Sequence, residues 1–152
     1  MEYIILKEVV LKGNRCEYVC EIPDSLNKYL VDVNQNLFVE LPAQYEANSV
    51  PEGILTIPFV GSFLCVSMMF NVGIKVPVLD KTFFESLSSV KDAYKKMYPY
   101  ADFCFDVFPD KMVDCTYEVQ QTPSIFFTGG LDATSALIDR IAEKPLLVNI
   151  WG

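Results

Sequence analysis

Alternation and runs of apolar residues divide the chain into segments of clear type. Residues 3–11 and 15–22 are rich in β-branched and aromatic side chains, and Lys12-Gly13-Asn14 between them is a turn signal, so the pair predicts a β-hairpin. Residues 36–41 predict a third short strand, closed by Pro42. A connection follows over residues 43–53, its end marked by Asn48-Ser49 and Pro51. From residue 53 to residue 74 there is no charged side chain, which predicts a helix that is apolar all round and starts near Pro51 and Glu52. Pro58 should bend that helix or delay its regular part, because it lacks the N–H that an interior helical residue donates.

Beyond the apolar run, residues 74–79 read as extended, with Pro77 pointing to an edge position. The best helix in the chain starts at Asp80 or Thr82. Thr82 with Glu85 fits a capping box, and Phe83, Leu87, Val90, Tyr94 and Met97 repeat at four- and three-residue steps, which predicts a core-facing stripe. Pro99 ends it. Residues 103–108 and 112–119 predict two further strands on either side of Pro109-Asp110-Lys111, and Gln120-Gln121-Thr122-Pro123 predicts a short linker. The final segment changes period twice. Ser124-Ile125-Phe126-Phe127 is strand-like, Ala136-Leu137-Ile138-Asp139-Arg140-Ile141-Ala142 is helix-like, and Pro145-Leu146-Leu147-Val148-Asn149-Ile150 is strand-like again. This is the order of a βαβ unit. The expected fold class is therefore α/β: an α+β front domain over residues 1–121, then a first βαβ unit over residues 122–152.

Composition narrows the function classes. Of the 152 residues 51% are hydrophobic and 21% charged, enough for a sizeable core. The formal net charge of −8 disfavours non-specific contact with nucleic acid or anionic lipid. Lys91, Lys95 and Lys96 are the nearest approach to a basic cluster, and Asp92 interrupts it, so it reads as a solvated helix face and nucleic acid is not an expected partner. The run over residues 53–74 is long enough to span a bilayer. Pro58, Gly61, Asn71 and Gly73 interrupt it and no basic cluster flanks it, so a buried helix is expected and a membrane span is not. Five cysteines (Cys16, Cys20, Cys65, Cys104 and Cys115) are an odd number, widely spread, and read as reduced thiols in a cytoplasmic protein. Cys16 and Cys20 are four apart, but the chain has no histidine and no second close cysteine pair to complete a zinc site.

The chemistry-bearing motif is Thr128-Gly129-Gly130-Leu131-Asp132-Ala133-Thr134-Ser135, placed between the predicted strand and helix. A Gly-Gly turn at that junction can present backbone N–H groups and the positive helix end to a phosphate. No lysine follows the glycines as a Walker loop requires, and a dinucleotide fingerprint needs a third glycine. The same turn also serves as an ordinary strand-to-helix connection, with Gly supplying the backbone angles and Asp the cap.

The segment resembles the Ser-Gly-Gly-x-Asp-Ser motif of the PP-loop ATP pyrophosphatases, the group of asparagine, GMP and NAD synthetases. Thr128 keeps the hydroxyl of the family's first Ser, whereas Ala133 replaces the second. A looser resemblance links Ile57-Pro58-Phe59-Val60, Leu79-Asp80-Lys81-Thr82-Phe83 and Met97-Tyr98-Pro99 to the front region of bacterial proteins that carry an asparagine-synthetase-like PP-loop domain behind it. The resemblance implies ATP and Mg²⁺ as cofactors and adenylation of a carboxyl or carbonyl oxygen, followed by displacement of AMP by a nucleophile. It implies that backbone N–H groups of Gly129, Gly130 and Leu131 hold pyrophosphate oxygens, that the Thr128 and Thr134 hydroxyls donate to them, and that Asp132 holds Mg²⁺. Asp132 as the cap of the following helix stays open as the alternative. One βαβ unit does not close a parallel sheet, so the sequence is expected to be the front part of a larger enzyme, itself with little or no catalysis and, through unpaired strand edges, inclined to homo-oligomerise.

Overall fold

A computed structural model of the chain describes residues 2–30, 37–100, 106–115 and 123–149. The chain is α/β and divides into two compact units, Met1–Cys115 and Thr116–Gly152.

The first unit is built on a five-stranded mixed sheet of order β3-β2-β1-β4-β5. Strands β1 (Tyr3–Lys12) and β2 (Arg15–Glu21) form the expected antiparallel hairpin, with Lys12 opposite Arg15 and Gly13 at φ +60° in the turn. That left-handed angle is why the turn needs glycine. Strand β3 (Leu37–Glu40) pairs antiparallel with β2. Strands β4 (Gly73–Asp80) and β5 (Val107–Val113) run parallel to each other, and β4 runs parallel to β1. Helices α1 (Glu52–Leu55) and α2 (Ile57–Phe70) precede β4, and α3 (Lys81–Met97) joins β4 to β5, giving a βαβ unit inside this sheet.

The apolar run forms a core helix. Taken together, Glu52–Phe70 is long and apolar enough to cross a membrane, yet Leu55, Phe59, Val60, Phe63 and Met68 are buried in one cluster with Ile4, Leu6, Tyr18, Ile74 and Val76 of the sheet. The regular ladder breaks at Thr56, two residues before Pro58, as the missing proline N–H requires. Beside that break the buried Tyr18 hydroxyl donates to the Leu55 carbonyl at 2.8 Å. At its far end α2 stops on Asn71 at φ 55°, and the buried Ser67 hydroxyl donates to the Val72 carbonyl. Asparagine is among the few side chains that accept this left-handed position.

Four expectations change. Pro77 does not lie on an edge strand: β4 sits between β1 and β5. Pairing with β1 covers only Gly73 to Lys75, however, so at Pro77 the strand has a neighbour on one side and tolerates the lost donor. Pro109-Asp110-Lys111 is no turn between two strands, because β5 runs straight through it. Among the described residues β5 pairs only with β4, and such an edge can carry a proline. The predicted residues 103–105 and 116–119 lie outside the described residues, as do 120–122 of the linker. Thr82 does not form a capping box. Asp80 is the N-cap of α3 and accepts the Phe83 N–H at 2.8 Å, which leaves Thr82 inside the first turn. The α3 stripe is core only in part: Leu87 is buried, Phe83, Val90 and Tyr94 are half-buried, and Met97 is exposed.

In the second unit β6 (Ser124–Phe126) and β7 (Leu146–Val148) pair in parallel, joined through α4 (Leu131–Arg140) and a 3₁₀ turn at Ile141–Glu143. The predicted strand–helix–strand order is therefore present, with residue 150 outside the described residues.

Candidate functional site

The loop between β6 and α4 is set by backbone geometry. Phe127 N–H donates to the Val148 carbonyl at 2.8 Å, extending the strand pairing by one residue, and Thr128 then leaves the sheet. Gly129 turns the chain at φ +78°, a region that only glycine occupies without strain. Gly130 is the N-cap of α4 at φ −73°, ψ 170°, extended angles open to any residue. The two glycines therefore differ. The turn itself demands Gly129, whereas nothing in the backbone demands Gly130. A Cβ at Gly130 would meet only the Thr128 Oγ1, at 3.6 Å, an ordinary contact.

No side chain caps α4, so its first-turn N–H groups lack the partner that a Ser, Thr or Asp at the N-cap would supply. Asp132 lies one position inside the helix, exposed and in the first turn, where it complements the helix dipole without capping. Its alternative role as the cap is not formed. The Thr134 hydroxyl donates to the Gly130 carbonyl at 2.9 Å and its N–H to the same oxygen at 3.0 Å, so Thr134 locks the first turn. Of the six residues singled out in the sequence, Thr128, Gly129, Gly130, Leu131 and Asp132 line the mouth of the loop, and Thr134 braces it from behind.

One contributor went unnoticed in the sequence. Asn149 donates its side-chain amide to the Phe127 carbonyl at 3.0 Å, tying the end of β7 to the residue before the loop. The signal was available: Asn149 is the one polar residue in the apolar run 146–150. A polar side chain there finds a backbone partner because the neighbouring strand ends beside it.

Electrostatically the loop depends on dipoles. The basic residues of the described second unit, Arg140 and Lys144, stand at the far end of α4, roughly 15 Å along a ten-residue helix. Arg140 is held by Glu143 at 2.8 Å, and that hydrogen bond pushes its pKa further up. The expected donation from the Thr134 hydroxyl to an anion is not available, because that proton goes to the Gly130 carbonyl. An anion at the loop would meet N–H groups, the helix end and the Thr128 hydroxyl, and a divalent cation would have to neutralise the rest of its charge. Among the described residues no group of three or more Asp, Glu, Cys or His side chains converges as a metal site. A single carboxylate with phosphate oxygens and water still suffices for Mg²⁺. Compared with protein-family models, curated proteins and solved structures, the chain shows no match.

Proposed function

We propose that the loop over residues 128–134 binds the pyrophosphate portion of ATP, and that the chain belongs to an ATP-dependent adenylating enzyme of the PP-loop type. Gly130 carries this reading. It has ordinary backbone angles and only an ordinary contact where a Cβ would stand, so neither strain nor packing demands glycine over another N-cap residue such as Ser or Asp, and the bare backbone leaves a phosphate room to approach the N–H groups at the helix start. In this reading the N–H groups of Gly129, Gly130 and Leu131 and the Thr128 hydroxyl hold pyrophosphate oxygens, and Asp132 holds Mg²⁺. Thr134 positions the turn, and the Asn149 amide fixes Phe127 and with it the entry to the loop. Bound Mg-ATP would supply the adenylyl group for a small-molecule substrate oxygen. The four described cysteines carry free thiols, in keeping with a cytoplasmic setting.

A second reading has its own support. The turn needs Gly129 for its φ of +78°, and Thr134 spends its hydroxyl inside the helix, as both would in a purely structural connection of a scaffold or interaction domain. Titrating the ¹⁵N-labelled chain with Mg-pyrophosphate separates the two. The binding reading expects amide shifts confined to residues 128–134, weakened at least tenfold by Gly130→Val and by Asp132→Ala. Unmoved amides at millimolar Mg-pyrophosphate in a folded chain would overturn it.

A further inference from the structure

A groove of about 430 Å³ lies in the first unit between α3 and the start of β5. Phe84, Leu87, Ser88 and Lys91 line one side of it, and their helical spacing puts them together on the flank of α3 turned to β5. Asp106 and Val107 line the other side, and Glu85 completes the lining. The groove stays open because β5 pairs only with β4 among the described residues, so no further strand among them extends the sheet under that flank of the helix. Its volume falls within the roughly 300–1,000 Å³ of ordinary ligand pockets.

The lining selects a chemistry. Leu87 and Val107 are buried and Phe84 is half-buried, which gives an apolar floor. The Ser88 hydroxyl donates to the Glu85 backbone carbonyl at 3.0 Å, so towards the groove its oxygen can only accept. Lys91 Nζ stands 3.8 Å from Asp106 Oδ1, which pairs one of the two carboxylates. The Glu85 carboxylate is exposed and has no ion pair or hydrogen bond among the described residues. Glu85 and Asp106 against Lys91 therefore leave one negative charge in excess, beside an acceptor oxygen and an apolar floor. We propose that this groove binds a monocationic amine with a compact apolar body, an arylalkylamine for example. The ammonium sits at the Glu85 carboxylate and Ser88 Oγ, and the apolar body lies over Phe84, Leu87 and Val107. An anion with the same body would meet two like charges and a hydroxyl whose proton is already given away.

Binding is weak, because Glu85 is exposed and the groove is open to water, and a dissociation constant on the order of 1 mM is expected. The test is a titration of the ¹⁵N-labelled 152-residue chain with phenethylamine at neutral pH, and separately with hydrocinnamate, which carries a carboxylate on a similar body. Neither nucleotide nor pyrophosphate is present, and the glycine loop belongs to the other unit, so the result is independent of whether that loop binds pyrophosphate.

The proposal expects saturable phenethylamine shifts confined to amides of residues 84–91 and 106–107, with hydrocinnamate about fivefold weaker or weaker still. Glu85→Gln should weaken phenethylamine about threefold and narrow the gap between the two probes. Ser88→Phe, which places a ring in the groove from an exposed helical position, should abolish the shifts; native amide dispersion checks both variants. Amides unmoved at about 10 mM phenethylamine, hydrocinnamate binding as tightly as the amine, or affinity indifferent to Glu85→Gln and Ser88→Phe would each overturn the proposal.

Discussion

Tyr18 shows how one side chain ties the sheet to the helix layer. Its ring is fully buried, 5.8 Å from that of Phe59, and its hydroxyl satisfies the Leu55 carbonyl at the break before Pro58. Tyr18→Phe keeps the packing but leaves that buried carbonyl without its donor, a loss of about 1–2 kcal/mol measurable by urea unfolding. The phenol also makes stability depend on pH. Burial, and then the neighbouring Cys16, push its pKa well above the ordinary value of 10. A group whose folded pKa is raised contributes fully below its unfolded pKa, and the contribution falls as pH climbs past it. The wild-type advantage over Tyr18→Phe should therefore hold up to about pH 10, the ordinary value, and shrink as pH rises above it. The Cys16 and Cys20 thiols, also pushed up by burial, add a decline that both proteins share, beginning near their ordinary value of 9.0.

Among the elements, the helix pair α1 and α2 separates two glycines that look alike in the sequence. A Cβ on Gly53 would stand 2.5 Å from Val113 Cγ2, 3.0 Å from Cys115 Sγ and 3.1 Å from the Asp80 backbone nitrogen, because α1 lies directly against the ends of β4 and β5. Gly61 has nothing within 4 Å of that position. Gly61→Ala should stabilise by about 0.5–1 kcal/mol through helix propensity, and Gly53→Ala should destabilise by about 1–3 kcal/mol despite the same propensity gain. Thermal melts of the two variants should shift in opposite directions. The same contrast explains what the sequence made legible. Runs and turn residues located most elements, including β6, α4 and β7 around the glycine loop, because local pattern determines period and punctuation. Pairing does not appear in such patterns: whether Pro77 or Pro109 fits within a strand depends on which neighbouring strand is present at that register. In the loop, the residue types were legible, but the unequal demands on Gly129 and Gly130, the inward bond of Thr134 and the bridge from Asn149 depend on backbone angles and on a strand 22 residues away.

Across the whole chain, burial is distributed unevenly between the two units. The first has a contiguous core that spans four of its five strands and both long helices, whereas no described residue of the second is buried. Native-state hydrogen exchange should reflect this, with amides of β6, α4 and β7 exchanging through low-energy openings and those of β1 and β4 only near the global unfolding free energy. Equal protection in both units would contradict it. Within the first unit Asp80 is 3% exposed, and its carboxylate holds α3 through the Phe83 N–H and, at 3.2 Å, the backbone N–H of Cys115. One carboxylate therefore fastens both the start of α3 and the segment after β5 to the end of β4, so within the first unit a single side chain acts as a clasp against fraying of two neighbouring elements.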